Sequence, residues 1–94
     1  MAPTPTIQVA QAADAQVTID NFVFSPATLT IATGTTVTWK NEDDMVHTVT
    51  AANGVFQSKG LETGDVYSYT FTTTGTYTYY CALHPKMTAT IIVR

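Results

Sequence analysis

The sequence predicts an all-β Greek-key sandwich of about seven to eight strands. Three observations carry this. Apolar residues alternate with polar ones instead of following a helical period, turn residues break that alternation at intervals of roughly 8 to 12 residues, and threonine, a strand former, is frequent throughout. At 94 residues the chain forms one domain, long enough to bury roughly 60 to 70% of the surface it exposes when unfolded. Hydrophobic content of 45% against charged content of 12% argues against disorder and against a long amphipathic helical bundle.

Taken in order, Val17 and Ile19, then Phe22 and Phe24, open the folded part with residues expected to face the core. Leu29 and Ile31 alternate with Thr28 and Thr30 as far as a Thr33-Gly34 turn, beyond which Val37 and Trp39 read as a hairpin partner. His47, Val49 and Ala51 alternate with Thr48 and Thr50, so the histidine points to the same face as a core valine, inside and near a strand start. Tyr67, Tyr69 and Phe71 share one face of a strand closed by Thr73-Thr74-Gly75. Tyr77, Tyr79 and Cys81 share one face of the next, so the cysteine ends a core-facing row while Tyr80 faces away. The final strand is expected from about Thr88 to Val93, with Pro26 and Pro85 outside strand interiors and Gly54, Gly60 and Gly64 in an irregular stretch.

Residues 17–94 form the expected domain, and residues 1–16 an N-terminal extension, flexible or an edge strand. That extension has no basic start and no long apolar run, so it is neither an intact signal peptide nor a spanning helix. The small residues from Ala10 to Ala15 fit the flank of a removed signal, and a periplasmic or otherwise extracytoplasmic location is the expectation. A net charge of -3 with four Lys and Arg leaves no electrostatic footprint for nucleic acid or an anionic membrane. A single cysteine excludes an internal disulfide.

The chemistry concentrates in Cys81-Ala82-Leu83-His84-Pro85-Lys86-Met87, which holds the only cysteine, one of two histidines and a methionine at i, i+3 and i+6. Taken singly, these residues have ordinary readings: a buried inert thiol, a hydrogen-bonded histidine, a packed methionine. The second histidine, His47, changes the balance. It starts one core strand, Cys81 ends another, His84 and Met87 hang from the loop that follows, and a Greek-key sandwich can bring those ends together. Two imidazoles, a thiolate and a thioether suit copper in a trigonal His2Cys arrangement with a weak axial Met. Zinc rarely recruits Met, and would be expected with a fourth strong ligand or an open water beside an acid; the loop contains no acid. A Cys/His hydrolase is the enzymatic alternative, without a third orienting group or an oxyanion-hole signal to accompany it.

The Val37-Thr38-Trp39-Lys40-Asn41 strand leading to His47, the Gly75-Thr76-Tyr77-Thr78-Tyr79-Tyr80-Cys81 run and the Cys-x-x-His-x-x-Met spacing together resemble the cupredoxins, the type 1 blue copper proteins. The resemblance covers roughly Val17 to Val93 and is strongest to the amicyanin and plastocyanin branch, the two-residue gap between His84 and Met87 looking like the short loop of amicyanin. It implies one copper ion held by His47, Cys81, His84 and Met87, cycling between Cu(I) and Cu(II). It further implies a small one-electron carrier rather than an enzyme, served by a protein donor and a protein acceptor, monomeric, without a membrane span. A copper-binding module for storage, delivery or metal uptake is the alternative.

The same resemblance implies a docking surface where the His84 ring edge reaches solvent, with Met45, Leu83 and Pro85 as members and Lys86 placed where amicyanin has an aromatic residue. It raises Tyr80 as a second, remote electron port, beside the plainer reading of an amphipathic surface tyrosine. The acidic run Glu42-Asp43-Asp44 reads as a solvated loop or as a steering charge for a basic partner. Thr48 and Ala82 stand where many cupredoxins carry an asparagine and a hydroxyl residue. Thr48 still offers its backbone N–H to the Cys81 sulfur, but Ala82 has no hydroxyl, so a more mobile ligand loop is expected.

Overall fold

The computed structural model describes residues 14–94, and residues 1–13, with most of the expected N-terminal extension, lie outside the described residues. Eight strands follow in chain order: β1 (Asp14–Asp20), β2 (Val23–Ser25), β3 (Thr28–Ile31), β4 (Thr35–Asn41), β5 (Thr50–Ala51), β6 (Val66–Phe71), β7 (Gly75–Cys81) and β8 (His84–Val93). They form two four-stranded sheets, ordered β2-β1-β4-β6 and β3-β8-β7-β5. The β1–β4 and β3–β8 pairs are parallel and the others antiparallel. The chain changes sheet at every connection from β2 to β7. That alternation closes two half-buried sheets over one core, the all-β sandwich that the period of two predicts.

The core alternation is as expected along β1, β4, β7 and β8, with Val17, Ile19, Val37, Trp39, Tyr79, Cys81, Ile91 and Val93 all buried. At its centre Trp39 packs against Phe56, Tyr67, Phe71 and Tyr79, with ring centroids 5.5 to 6.4 Å away. The indole N–H of Trp39 and the hydroxyl of Tyr79 are both buried without a hydrogen bond of good geometry. Burial pushes the Tyr79 phenol up to about 12, and the nearby indole N–H opposes the shift only in part. Because the folded protein holds this phenol neutral beyond its unfolded value near 10, Tyr79 contributes stability that is complete below about pH 10 and drains away as pH rises toward 12. Tyr79→Phe in the copper-free protein is therefore expected to flatten the fall in Tm between those values. Parallel curves for the two proteins would contradict this assignment.

Three local expectations are corrected. β3 and β4 do not form a hairpin but lie in different sheets. Their connection straddles the sandwich: Thr33 N–H donates to the Arg94 carbonyl beyond β8, and Gly34 N–H to the Phe71 carbonyl of β6. Gly34 has φ 90°, a conformation that glycine adopts without a Cβ penalty.

The strand expected through His47 is regular only over Thr50–Ala51; His47 sits in an isolated bridge with Leu61, although its inward parity holds. The irregular stretch that supplies Leu61 also lends Phe56 and Ser58 to the core. There the Ser58 hydroxyl accepts the Val49 N–H and donates to the Lys59 carbonyl, both at 2.8 Å.

Phe22, expected inside, is 45% exposed. Asp20 pairs with Val23, leaving Asn21 and Phe22 as a two-residue turn at φ 52° and 61°. Consecutive positive φ values are what a type I′ hairpin turn requires, and they swing the Phe22 ring outward while Phe24 returns to the core. A bulky aromatic in this region costs about 1 to 3 kcal/mol. Its offset lies in the site.

Candidate metal centre

Three chain segments meet at one end of the sandwich. β4 ends at Asn41, whose fully buried amide organises the loop to His47: Nδ2 donates to the Met45 carbonyl at 2.9 Å and to the Leu61 carbonyl at 2.7 Å, while Oδ1 accepts the Asp43 N–H at 2.8 Å. His47 is then pinned from both sides, its N–H donating to the Leu61 carbonyl and its carbonyl accepting the Leu61 N–H. β7 ends on Cys81, a two-residue turn of Ala82 and Leu83 follows, and β8 begins at His84, with a register shift at Tyr80 and Cys81. His84 and Met87 thus lie on a strand instead of hanging from a loop. Cys81 and His84 are direct cross-strand partners.

His47 and Cys81 are fully buried, and His84 is half-buried. The Cys81 Sγ lies 3.7 Å from His47 Nδ1 and 3.5 Å from His84 Nδ1. One ligand atom from each of the three lies within 4.8 Å of the others, a spacing at which one ion can touch all three. Met87, six residues beyond Cys81, is buried at 6% exposure and belongs to the same core cluster.

Asp43 decides how His47 presents itself. The run Glu42-Asp43-Asp44 is split by the fold: Glu42 and Asp44 are exposed, whereas Asp43 turns inward. Asp43 Oδ2 sits 2.8 Å from His47 Nε2 and accepts the Phe22 N–H at 3.0 Å; Oδ1 accepts the Asp44 N–H at 2.9 Å. The His47 contact and the Phe22 N–H hold its carboxyl down at about 2, against a smaller opposing effect of burial. An ionised carboxylate only accepts, so Nε2 carries the hydrogen, and in the neutral ring the lone pair is left on Nδ1, facing the sulfur.

The tie between the ligand segments is stronger than expected. Thr48 N–H donates to Cys81 Sγ at 3.3 Å, and the Thr48 hydroxyl accepts the Ala82 N–H at 2.7 Å. The hydroxyl also lies 3.1 Å from that of Thr50. The missing hydroxyl at Ala82 does not remove the tie, because it needs only the backbone of residue 82 and the threonine side chain is long enough to reach it.

Asp43, His47 and Cys81 have the connectivity of a Cys-His-Asp triad, so the expectation that no third orienting group accompanies the pair is corrected. The arrangement still reads as a donor set. The sulfur is fully buried and a second imidazole nitrogen faces it, so an incoming carbonyl has no approach. Nor does Asp43 serve as the free acid of a zinc hydrolase, since its oxygens are committed to His47, Phe22 and Asp44. Two imidazoles, a thiol and a nearby buried thioether fit copper better than zinc.

A family model for the cupredoxin-like domain matches residues 2–93. The chain belongs to the cupredoxin family. Among relatives of this cupredoxin, amicyanin from Paracoccus denitrificans is 34% identical over 91 residues, spanning 89% of this chain and 70% of the relative. A purple cupredoxin from Nitrosopumilus maritimus superposes with a TM-score of 0.80 at 36% identity, covering 85% of this chain and 99% of that one. A reduced Cu(I) form of an amicyanin proline-to-glycine mutant gives 0.81 at 34% identity, covering 93% and 87%.

Of the expected surface members, Met45 and Leu83 are 47% and 55% exposed, Pro85 and Lys86 are exposed, and Tyr80 is half-buried opposite Thr50. Two residues that matter at the site are not legible as such in the sequence. Asp43 is hidden in an acidic run, its one signal being its place four residues before His47. Phe22 belongs to the core by parity alone; its ring lies edge-to-face on both histidines, with centroids 5.4 Å from His47 and 5.0 Å from His84. Such pairs contribute about 0.5 to 1.5 kcal/mol each, enough with the charge-assisted Phe22 N–H bond to offset the strained turn.

Proposed function

We propose that this cupredoxin is a small one-electron carrier, not an enzyme, which holds one copper ion through His47, Cys81, His84 and Met87. The convergence of both imidazole Nδ1 atoms on the only thiol, in a chain similar to amicyanins, carries the reading. Bound copper supplies reversible one-electron exchange between Cu(I) and Cu(II). The chain supplies a rigid frame for both states. Asp43 and the Leu61 bridge fix His47, the Thr48 N–H and hydroxyl fix Cys81 and the turn after it, and β8 pairing fixes His84. Ligands held this tightly move little between oxidation states, which keeps the reorganisation accompanying transfer small.

The partners in this reading are a protein electron donor and a protein acceptor. Met45, Leu83 and Pro85 form the docking surface around His84, supported by their exposure, and Tyr80 is the candidate for a second port. The carrier acts as a monomer in an extracytoplasmic compartment, and no helix among the described residues is long and apolar enough to cross a membrane. A Cu(II) spectrum with reversible voltammetry tests the function. An intense visible thiolate-to-copper band with fast one-electron exchange is the expected result; colourless zinc uptake with no stable copper form would overturn it, and ready copper transfer to an acceptor without electron exchange would favour delivery.

A further inference from the structure

Phe22 has a position that neither core packing nor ligation explains. Its ring and the two imidazoles form a nearly equilateral triangle: Phe22 to His47 is 5.4 Å, Phe22 to His84 is 5.0 Å and His47 to His84 is 5.0 Å between centroids. The phenyl therefore sits over the seam between the histidines, while its 45% exposure places its other side in solvent. Both imidazole rings turn their Nδ1 atoms to Cys81 Sγ, so the two rings that Phe22 contacts are the two that flank the buried sulfur.

The ring is held there by more than its own contacts. Asn21 and Phe22 adopt positive φ values that a bulky residue rarely takes, and strained backbone of this kind persists where surrounding structure enforces it. The enforcing group is Asp43, whose Oδ2 accepts the Phe22 N–H and also faces His47 Nε2. One carboxylate oxygen thus couples the turn carrying the ring to one of the histidines that the ring covers.

We propose that Phe22 is a cap that closes the seam between His47 and His84 and so controls access of solvent, small anionic ligands and copper acceptors to the centre. It biases the site toward retaining its metal. The inference rests on the metal-centre reading for its copper consequences, while its steric core concerns only access to Cys81.

The test uses Phe22→Ala, Phe22→Gly and Phe22→Tyr, the glycine variant relieving the positive φ and the tyrosine variant keeping the ring. In copper-free protein, iodoacetamide labelling of the single cysteine, followed by mass spectrometry, is expected to be at least several-fold faster in the alanine and glycine variants and unchanged in the tyrosine variant. In copper-loaded protein, the two opened variants are expected to change colour with azide and to release Cu(I) to bicinchoninate roughly ten-fold faster or more. Wild-type labelling rates in the folded alanine and glycine variants would overturn the cap, as would a tyrosine variant that opens as widely as alanine. Should alanine fail to fold, the glycine and tyrosine pair decides alone. Loss of the visible band in wild type would sink the copper reading, and the labelling rates would still decide separately whether Phe22 limits access to Cys81.

Discussion

Replacing Cys81 with serine is expected to abolish the intense visible band of the copper-loaded protein while leaving the sandwich folded. The sulfur is the only thiolate donor available, and it lies within 3.7 Å of both histidine Nδ1 atoms. A serine oxygen is a harder ligand and cannot supply the sulfur-to-copper charge transfer that gives type 1 sites their colour. The change is sterically small. The new hydroxyl inherits the Thr48 N–H as donor, so the loss in folding stability should stay within about 1 to 3 kcal/mol, the cost of a buried polar group with imperfect partners. Absorption and circular dichroism on the same sample check both parts. A variant that keeps the band would remove Cys81 from the ligand set.

Asp43→Ala is expected to weaken copper binding by about 10 to 100-fold, the range for losing a carboxylate that orients a ligating histidine. Three hydrogens lose their acceptor together: His47 Nε2–H, Phe22 N–H and Asp44 N–H. The first matters most, because His47 is fully buried and its outer nitrogen has no solvent to turn to. Without the carboxylate, the ring is free to place its hydrogen on Nδ1, the nitrogen that should face the metal. Nitrogen NMR of the copper-free protein should show His47 as the Nε2–H tautomer in wild type and as a mixture in the variant. Asp43→Asn, which keeps one acceptor oxygen, should lie between them. Chelator competition giving equal affinities for all three proteins would show that the carboxylate orients nothing.

These two residues also mark how much of the site is legible in the chain. Cys81, His84 and Met87 announce themselves by local spacing, and His47 joins them because strand parity turns it toward the same interior. Asp43 does not announce itself. An acidic residue between two others looks like a solvated loop, and only the buried Asn41 amide, which captures the Asp43 N–H and two carbonyls of the surrounding segments, turns its carboxylate inward. Phe22 is hidden for a related reason. Parity arguments assume a continuous strand, and the two-residue turn at Asn21 and Phe22 breaks the alternation, sending the ring to the surface above the histidines.

Thr48 shows the opposite case, in which residue identity suggests a defect that geometry repairs. With no hydroxyl at Ala82, side-chain chemistry alone predicts loosely joined ligand segments. The bond that forms uses the Ala82 backbone N–H, a group that every residue but proline provides, so it depends on where the Thr48 hydroxyl falls and not on the side chain at 82.

The sequence by itself determined the all-β class, the inward rows of the principal strands and the four residues expected at the metal, because a period of two and a short donor spacing are local properties of the chain. Tertiary structure decided the rest: that the turn at Gly34 crosses between sheets, that His84 begins a strand, that Asp43 orients His47 and that Phe22 covers both histidines. Each of those depends on which distant segments supply hydrogen-bond acceptors and open space. Local alternation carries no record of those choices, which are made when the two sheets close over Trp39.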